Sequence, residues 1–463
     1  MADGDEIRYF EEITRVPRPS GHTDRIGAYL ERFAKAHGLP CVRDASGNIL
    51  IRRPGKGVTV TLQAHQDMVP TCTSGSSFDF VNCPLETYID DGWIRARGTT
   101  LGADDGSGIA IAMCALTDPE LEGLSIEALF TVDEEIGLLG ALELERNSLN
   151  GEYLVNIDSE DVRELTIGCA GSTDVTFRFP GSRDVSEGYF YRLQVSGCSG
   201  GHSAGEIDKD RVNAVVLTFT VLSKIAAGAR IVAVDGGNAP NAIPMSCRVD
   251  FCCECKLSQE EIEELVQQLA PNSQKTDPDM SVTLSTCEPS PAFSESLSAA
   301  FTEAVVTVPN GPLDRDGFGV KTSSNVGVVS STDSDLVLVV KPRSSDMRAL
   351  DALISQQVTL CTDLGATCDE YTVLPAWRED PSDPFIITSV STYRDVFGRD
   401  PVVTVTHGGL ECSVIRERNP GIKGAISVGP TIIGAHSPEE CMDVRTLSQT
   451  KAFVYGLLSR LCR

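Results

Sequence analysis

Short apolar segments that alternate with helix-like segments constrain the fold of this chain more than any other feature. Strand-like segments, rich in β-branched residues and bounded by turn residues, lie at 48–52, 58–64, 125–132 and 153–157. Helical spacing of apolar residues covers 5–37, and a glycine-rich turn at 102–108 leads into a buried helix at 109–113. Strands that alternate with helices predict an α/β domain with a mostly parallel sheet.

The pattern changes at about residue 171. Segments that alternate between polar and apolar residues lie at 175–179, 189–195 and 247–255, whereas 211–227 and 260–269 have helical spacing. This combination predicts an α+β insertion whose sheet has one solvated face. Residues 377–384 contain two prolines and several charges, which is typical of a linker, and helix–strand alternation resumes after them.

The charge balance argues against two classes of partner. The 463 residues include 66 acidic and 39 basic side chains, so the formal net charge is −27. A surface this acidic repels phosphate groups, which disfavours nucleic acid and anionic membranes as partners. No apolar run is long enough to span a bilayer, and the acidic start of the chain does not resemble a secretory signal. We therefore expect a soluble, cytoplasmic protein whose 16 cysteines are reduced thiols.

Acidic and histidine side chains follow the predicted strands and recur near the end of the chain. They are His65, Asp67, Asp104, Glu134, Glu135, Asp158 and His436. Ligands of open α/β sheets collect beyond the carboxyl ends of the strands. Like charges gathered there are unfavourable unless a cation neutralises them, and oxygen and imidazole ligands suit Zn²⁺, Mn²⁺ or Co²⁺. Because five or more ligands are too many for one tetrahedral zinc, the pattern favours a two-metal site.

Other kinds of site are less well supported. The glycines at 102–108 do not fit a phosphate-binding pattern, and the sequence contains no His-Glu-x-x-His motif. The Cys-x-x-Cys at 252–255 has no second Cys or His pair nearby, so we interpret these cysteines as core or surface thiols. Residues 197–201 match the nucleophile-elbow pattern, which keeps a serine hydrolase that uses Ser199 and a downstream histidine as an alternative. A non-catalytic binding protein is a second alternative.

Several longer blocks of sequence are similar to those of a known family. They lie, in the family's order, at 63–70, 99–106, 133–138, 200–207, 236–244, 407–412, 427–431 and 436–438. Through them the chain resembles the M20 metallopeptidases and, within that family, the bacterial aminoacyl-histidine (Xaa-His) dipeptidases. The resemblance implies a discontinuous, zinc-peptidase-like catalytic domain, residues 1–170 and 380–463, that holds two zinc ions, with cobalt or manganese as alternatives. It also implies an inserted α+β lid domain, residues 171–379, through which the chain forms a homodimer.

The resemblance also assigns roles at the metal site. Asp104 would bridge the two ions. His65 and Asp158 would complete the ligand set of one ion. Glu135 and His436 would complete the ligand set of the other. In the family, the peptide bond that follows the bridging aspartate is typically cis.

The remaining implied roles concern proton transfer and the substrate. Asp67 would orient His65, and Glu134 would be the general base for a water that bridges the metals. His202 would stabilise the oxyanion of the scissile carbonyl. The polar ends of the substrate would be held by groups of the later blocks, namely Asn241, Arg343, Gly408 and Gly409.

The implied reaction is the hydrolysis of dipeptides, with Xaa-His dipeptides such as carnosine as the expected substrates. Asp105 stands where these dipeptidases have asparagine, so a broader-specificity M20 peptidase or amidohydrolase is the alternative. For Arg343 the alternative is a surface charge, and for Glu411 it is a structural acid. His22 and His37 lie outside the blocks and are predicted to be surface residues.

Overall fold

The computed structural model describes residues 4–462. A short 3₁₀ helix in this range is Pro119–Leu121, and the α-helices are α1 (Asp5–Thr14), α2 (Asp24–Ala36), α3 (Ala103–Thr117), α4 (Leu139–Glu143), α5 (Ala214–Ile225), α6 (Gln259–Leu269), α7 (Ser273–Thr276), α8 (Glu295–Thr307), α9 (Met347–Asp363), α10 (Pro384–Phe397), α11 (Glu411–Arg418) and α12 (Val444–Leu461). Within residues 4–462, no helix combines the length and the apolar character that crossing a membrane requires.

The strands of the same residues lie in five sheets. They are β1 (Cys41–Arg43), β2 (Ile49–Arg53), β3 (Lys56–His65), β4 (Thr87–Asp90), β5 (Trp93–Ala96), β6 (Leu124–Thr131), β7 (Tyr153–Asn156), β8 (Glu164–Cys169), β9 (Gly171–Ser172), β10 (Val175–Pro180), β11 (Arg183–Asp184), β12 (Tyr189–Ser196), β13 (Gly201–His202), β14 (Arg230–Gly236), β15 (Ala242–Ile243), β16 (Cys247–Cys253), β17 (Ser281–Thr286), β18 (Ala292–Phe293), β19 (Gly311–Asp316), β20 (Gly319–Ser331), β21 (Asp335–Ser344), β22 (Thr367–Cys368), β23 (Trp377–Arg378), β24 (Val402–Thr406), β25 (Gly424–Ser427), β26 (Ile432–Ile433) and β27 (Cys441–Asp443).

The chain divides into two compact units, and the first is assembled from separate segments. Unit 1 comprises the chain up to Cys169, Trp377–Val405 and the chain from Leu410 onward. Unit 2 comprises Ala170–Ala376 and the short segment Thr406–Gly409. The predicted first domain includes residues 406–409, which the structure groups with unit 2. The reason is local, because the backbone N–H of residue 170 donates to the carbonyl oxygens of residues 406 and 408, each at 3.1 Å.

The large sheet of unit 1 is parallel at its centre. Its order is β1-β2-β6-β3-β7-β25-β8-β23, with β24 paired to β8. The neighbours β6, β3, β7 and β25 run parallel, whereas the pairs outside them are antiparallel. Helix α3 is apolar and buried along almost its whole length, and it packs on β3 and β6. The predicted α/β fold is therefore confirmed, with parallel strands at the centre of the sheet and antiparallel pairs on both sides of them.

Two predicted helix boundaries are wrong by several residues. Helix α3 begins at Ala103 and is interrupted by a turn at Asp104 and Asp105, whose φ and ψ are not helical, so the glycines at 106 and 108 lie inside the helix rather than in the turn that the sequence predicts. Helix α5 begins at Ala214, three residues later than predicted, because the Asn213 side chain accepts hydrogen bonds from the next backbone N–H groups and caps the helix there.

The predicted linker at 377–384 is wrong in its first half. Trp377 is buried and begins β23, which pairs with β8. The buried Glu379 carboxylate accepts hydrogen bonds from Trp377 Nε1 at 2.8 Å, from the backbone N–H of Ala425 at 2.9 Å, and from Arg416. Glu379 is thus a buried hydrogen-bond acceptor rather than a solvated charge of a linker. Sequence composition alone does not distinguish these two environments.

Unit 2 is built on an antiparallel sheet. Its order is β17-β12-β16-β14-β20-β21-β10-β22, with β19 on β20 and β9 on β21. Its core includes Phe179, Phe219 and Phe301, and the ring of Phe301 meets the other two edge-on at 5.3 and 5.4 Å. Along β12 buried and half-buried residues alternate, as expected for a sheet covered by helices on one face. The predicted α+β character of the insertion is confirmed.

Candidate metal centre

The carboxyl ends of three parallel strands in unit 1 are aligned. His65, the last residue of β3, is opposite Thr131, the last residue of β6. Gln63 on β3 is opposite Asn156, the last residue of β7. The residues that directly follow these strands therefore emerge at one edge of the sheet, which is where ligands bind in open α/β folds.

One group of side chains gathers around His65. The imidazole Nε2 lies 2.8 Å from Asp104 Oδ1 and 3.4 Å from Asp158 Oδ1. His65 is almost completely buried, and the two carboxylates are about nine-tenths buried, with exposed side-chain fractions of 11% and 8%. Candidate ligand atoms of these three residues lie within 4.8 Å of one another.

A second group gathers around His436 and shares one residue with the first. His436 Nε2 lies 3.1 Å from Asp104 Oδ2 and 3.0 Å from Glu135 Oε2. The two oxygens of Asp104 thus face different histidines, one with Asp158 and the other with Glu135. A carboxylate in this position can contribute one oxygen to each of two adjacent cations.

Asp67 connects His65 to the loop that follows β6. His65 Nδ1 lies 3.1 Å from the Asp67 carbonyl oxygen and 3.5 Å from its carboxylate. The same carboxylate accepts hydrogen bonds from Ser20 Oγ at 2.8 Å and from the backbone N–H groups of Glu134 at 3.1 Å and Glu135 at 3.4 Å. Burial alone would raise the pKa of Asp67, but His65 and these donors lower it to about 2. Asp67 therefore contacts both the imidazole and the backbone of the two acidic residues of the loop.

Asp105 supports the same edge of the sheet. Its carboxylate accepts hydrogen bonds from the backbone N–H of His65 at 3.2 Å and of Gly108 at 2.9 Å. The peptide bond between Asp104 and Asp105 is cis. Burial and the neighbouring carboxylates of Asp158 and Asp104 hold the pKa of Asp105 well above its ordinary value.

The electrostatics of the cluster favour a bound cation. Burial of the Asp158 carboxyl, together with nearby acidic groups, raises its pKa to about 6. Burial and the surrounding carboxylates also hold the pKa of Glu134 well above its ordinary value. The Glu135 Oε1 atom is buried without a hydrogen-bond partner among residues 4–462. Oxygen and imidazole donors with an unpartnered carboxylate oxygen fit a divalent ion such as Zn²⁺.

The other predicted site residues lie in unit 2. His202 is in β13, and its Nδ1 accepts a hydrogen bond from the backbone N–H of Ala204 at 3.3 Å. Asn241 is exposed, and its carbonyl oxygen accepts from the backbone N–H of Ser203 at 2.8 Å. The half-buried Gly408 donates its N–H to the Thr406 hydroxyl, and Gly409 is exposed.

Arg343 is not a surface residue, so that alternative is wrong. It lies on β21 with 4% of its surface exposed, and burial lowers its pKa to about 10. Its Nε has no hydrogen-bond partner among residues 4–462. A buried guanidinium with a free donor is suited to bind a carboxylate.

His407 is a buried residue to which sequence reasoning gave no role beyond the serine-hydrolase alternative. Its Nε2 lies 2.7 Å from Ser323 Oγ, and its Nδ1 has no partner in the described part of unit 2. Burial, and the charge of Arg343, lower its pKa to about 4. The signal that could have identified it is its place directly before Gly408 and Gly409 in a family block.

The local structure does not support Ser199 as a nucleophile. Its hydroxyl donates to the backbone carbonyl of Thr276 at 2.7 Å, and its N–H donates to Asp277 at 2.8 Å. Glu411 is completely buried and accepts hydrogen bonds from Gln63 Nε2 at 2.5 Å and Thr131 Oγ1 at 2.8 Å, as a structural acid would.

Two further predictions from the sequence concern surface and structural residues. Cys252 and Cys253 are buried on β16 and Cys255 is exposed, in agreement with the predicted core or surface thiols. His22 and His37 are exposed, as predicted.

Comparisons with known proteins agree with this geometry. Residues 61–460 match the sequence profile of Peptidase family M20/M25/M40. The cytosol non-specific dipeptidase of Escherichia coli K12 is 32% identical, over 98% of this chain and 96% of its own length. The crystal structure of aminoacylhistidine dipeptidase from Vibrio alginolyticus has 30% identity and a TM-score of 0.85, over 99% of this chain and 97% of that one. Human carnosine dipeptidase 1, with 13% identity, a TM-score of 0.52 and coverage of 99% and 96%, shares the fold alone.

Proposed function

Because the chain belongs to Peptidase family M20/M25/M40 and is therefore a peptide-bond hydrolase, we propose that it is a dipeptidase whose active site is the metal centre of unit 1. One observation carries this proposal. The two carboxylate oxygens of Asp104 face two histidines, at 2.8 and 3.1 Å, and each histidine is paired with a further carboxylate. Such a shared carboxylate could contribute one oxygen to each of two adjacent divalent ions.

The proposed ligands follow from the two groups. One ion would be bound by His65 and Asp158. The other would be bound by Glu135 and His436. Asp104 would bind both ions. We propose zinc as the metal, with cobalt or manganese as alternatives, because the donors are imidazoles and carboxylates without thiolates. When bound, the ions would supply Lewis acidity that makes water nucleophilic at neutral pH and polarises the scissile carbonyl.

Glu134 is the proposed general base. Its backbone N–H is fixed by Asp67, and its carboxyl is among the acidic groups that gather around His65. A raised pKa suits this role, since a base works best when its pKa lies near the working pH. The carboxylate would take one proton from the attacking water and deliver it to the leaving amine nitrogen as the peptide C–N bond breaks.

The groups of unit 2 are proposed to recognise the substrate. The unpartnered Arg343 Nε makes this side chain a candidate for the terminal carboxylate of a dipeptide. Asn241 and the backbone of Gly408 and Gly409 would hold further polar groups, and His202 would stabilise the developing oxyanion.

The proposed substrates are Xaa-His dipeptides. Support comes from the blocks in which this chain resembles aminoacyl-histidine dipeptidases and from the Vibrio structure named for that activity. The E. coli relative is named as non-specific, so a broader-specificity M20 peptidase or amidohydrolase is the second candidate. We further propose that the protein is cytosolic, as the name of the E. coli relative says of that enzyme, and that it forms homodimers through unit 2.

A panel of dipeptides tests the proposal. The metal-free protein is reconstituted with Zn²⁺, Co²⁺ or Mn²⁺, and kcat/KM is measured for Xaa-His dipeptides and for matched dipeptides without histidine. We expect metal-dependent hydrolysis with a preference for Xaa-His. Equal rates on all dipeptides would favour the second candidate, and binding without hydrolysis would contradict the proposal. Activity that survives chelation but is lost to a serine-directed inhibitor would instead favour Ser199.

A further inference from the structure

Two buried, oppositely charged side chains hold the turn that carries Asp104, although neither is among the proposed metal ligands. We propose that Arg18 and Glu440, which we call the Asp104 clamp, are positioning residues that keep Asp104 between His65 and His436. The inference rests on the proposed function, because it assigns a purpose to the same metal centre.

Arg18 joins the Asp104 turn to the segment that follows His65. Its guanidinium Nη1 donates to the carbonyl oxygens of Gln66 at 2.9 Å and Asp67 at 2.6 Å, and Nη2 donates to the carbonyl oxygen of Gly102. Arg18 is almost completely buried, with 1% of its surface exposed. A rigid, planar guanidinium can hold carbonyls of two separate segments at a fixed spacing.

Glu440 joins the same turn to the segment that carries His436. One carboxylate oxygen accepts from the backbone N–H groups of residues 101 and 102 at 2.7 and 3.0 Å. The other accepts from those of residue 103 at 2.8 Å and of Asp104 itself at 3.4 Å. Glu440 is buried, with 2% of its surface exposed, and lies four residues after His436.

Two glycines near Asp104 make room for Arg18. Gly102 has a φ of +65°, and a Cβ there would lie 2.8 Å from Arg18 Nη2. A Cβ at Gly106 would lie 2.7 Å from the same nitrogen. Side chains at either position would displace the guanidinium. The approach of a buried arginine thus explains two of the three glycines in the segment that does not fit a phosphate loop, and the third, Gly108, makes room for the Asp105 carboxylate.

The clamp leaves the metal-binding groups free. These hydrogen bonds of Arg18 and Glu440 all go to backbone atoms, so the carboxylates and imidazoles of the centre keep their lone pairs for a cation. The three segments that meet at Asp104 are distant in sequence, at 65–67, 101–104 and 436–440. Replacing a residue that positions a metal ligand typically lowers metal affinity or activity by about 10- to 100-fold.

The variant that tests the clamp most directly is Glu440→Gln. Its matched control is Glu439→Gln, which changes the exposed neighbouring residue. A glutamine replaces one acceptor oxygen with an NH₂ donor that would face backbone N–H groups of the turn. We expect Zn²⁺ binding to the metal-free protein, measured by calorimetric titration, to weaken by about 10- to 100-fold at one or both sites. We expect kcat to fall while KM changes less than about 2-fold, since substrate groups are untouched. Glu439→Gln should match the wild type.

Hydrogen exchange gives a readout that needs neither metal nor activity. In the metal-free Glu440→Gln protein, the amides of residues 101–104 should exchange at least about 10-fold faster, whereas the amides of the unit 2 sheet should not change. A folded Glu440→Gln protein that binds two ions with wild-type affinity would overturn the proposal. If the wild type binds metal but hydrolyses no dipeptide, the proposed function fails, and titration and exchange still decide the clamp.

Arg18→Lys, with the exposed Arg15→Lys as control, tests the other half of the clamp. A lysine ammonium keeps the charge but lacks the planar fork that reaches both segments. We expect weaker metal binding again, with the fold retained because the buried charge is kept. If Glu440→Gln does not fold, metal binding by Arg18→Lys decides whether the clamp positions Asp104. Loss of the fold in both variants, or wild-type metal affinity in Arg18→Lys, would overturn the positioning role.

Discussion

The two units of the chain differ in the unpaired charged groups that they bury. In unit 1, buried atoms without a hydrogen-bond partner among residues 4–462 include carboxylate oxygens of Glu135 and Glu411 but no arginine nitrogen. In unit 2 they include a carboxylate oxygen of Glu206, and also three arginine nitrogens, one of which is Arg343 Nε. Since a buried polar group without a hydrogen-bond partner is unfavourable, each unit has buried groups that a bound ligand could stabilise. Glu135 in unit 1 is suited to a cation, and Arg343 in unit 2 to an anionic group such as the carboxylate of a peptide.

The largest effect should come from replacing the proposed base in unit 1. Glu134→Ala is expected to lower kcat by about 10²- to 10⁴-fold, because no other group then takes the proton of water. Metal content, measured by elemental analysis, should stay at the wild-type value. The exposed Glu143→Ala is the control. Near-normal kcat in Glu134→Ala would show that unit 1 does not use this carboxylate as the base.

The proposed binding of a substrate carboxylate in unit 2 is tested by replacing Arg343. Arg343→Ala should lower kcat/KM for free dipeptides by about 10²-fold, the effect of losing a charged hydrogen bond to a carboxylate. Dipeptide amides, which lack that carboxylate, should be hydrolysed equally by wild type and variant. The exposed Arg348→Ala serves as control. Equal losses for both kinds of substrate would mean that Arg343 supports the fold of unit 2 rather than binding the carboxylate.

Acid should destabilise unit 2 through His407. Burial holds its pKa at about 4, so an unfolded histidine with a pKa near 6.5 binds a proton first as the pH falls. The contribution of His407 to the free energy of unfolding is complete above about pH 6.5 and decreases towards pH 4, by about 3 kcal/mol in total. Chemical denaturation at several pH values measures it. His407→Asn should reduce this pH dependence, and an unchanged slope would contradict the assignment.

The smallest effect is expected at Ser199. Its hydroxyl donates to a backbone carbonyl, so Ser199→Ala should change kcat by less than about 2-fold, within the usual range for an exposed side chain. A loss of activity comparable to that of Glu134→Ala would favour the serine-hydrolase alternative. It would also contradict the proposal that the catalytic groups lie in unit 1.

The part of the candidate site that follows strands could be predicted from the sequence. His65, Glu134, Glu135 and Asp158 follow apolar strands, and parallel strands bring their carboxyl ends to one edge. Asp104 lies at the start of α3 and His436 on a loop, and only their family blocks assigned their roles. The predicted roles of all these residues are proposals that the experiments above address.

Other features could not be predicted because they depend on long-range contacts of single residues. Arg18 and Glu440 carry no motif, and a lone charged residue in a sequence is normally solvated. Glu379 is read as part of a linker because its partners at Arg416 and Ala425 come later in the chain. The burial of Arg343 depends on where β21 lies within its sheet. Local patterns carry no information about such partners.

The central claim is that two divalent ions share Asp104. The most direct test is a crystal structure of the zinc-loaded protein with anomalous difference maps recorded at the zinc edge. The account predicts two peaks about 3.5–4 Å apart, one beside His65 and Asp158 and the other beside Glu135 and His436, with Asp104 between them. A single peak, or peaks that do not touch Asp104, would contradict it.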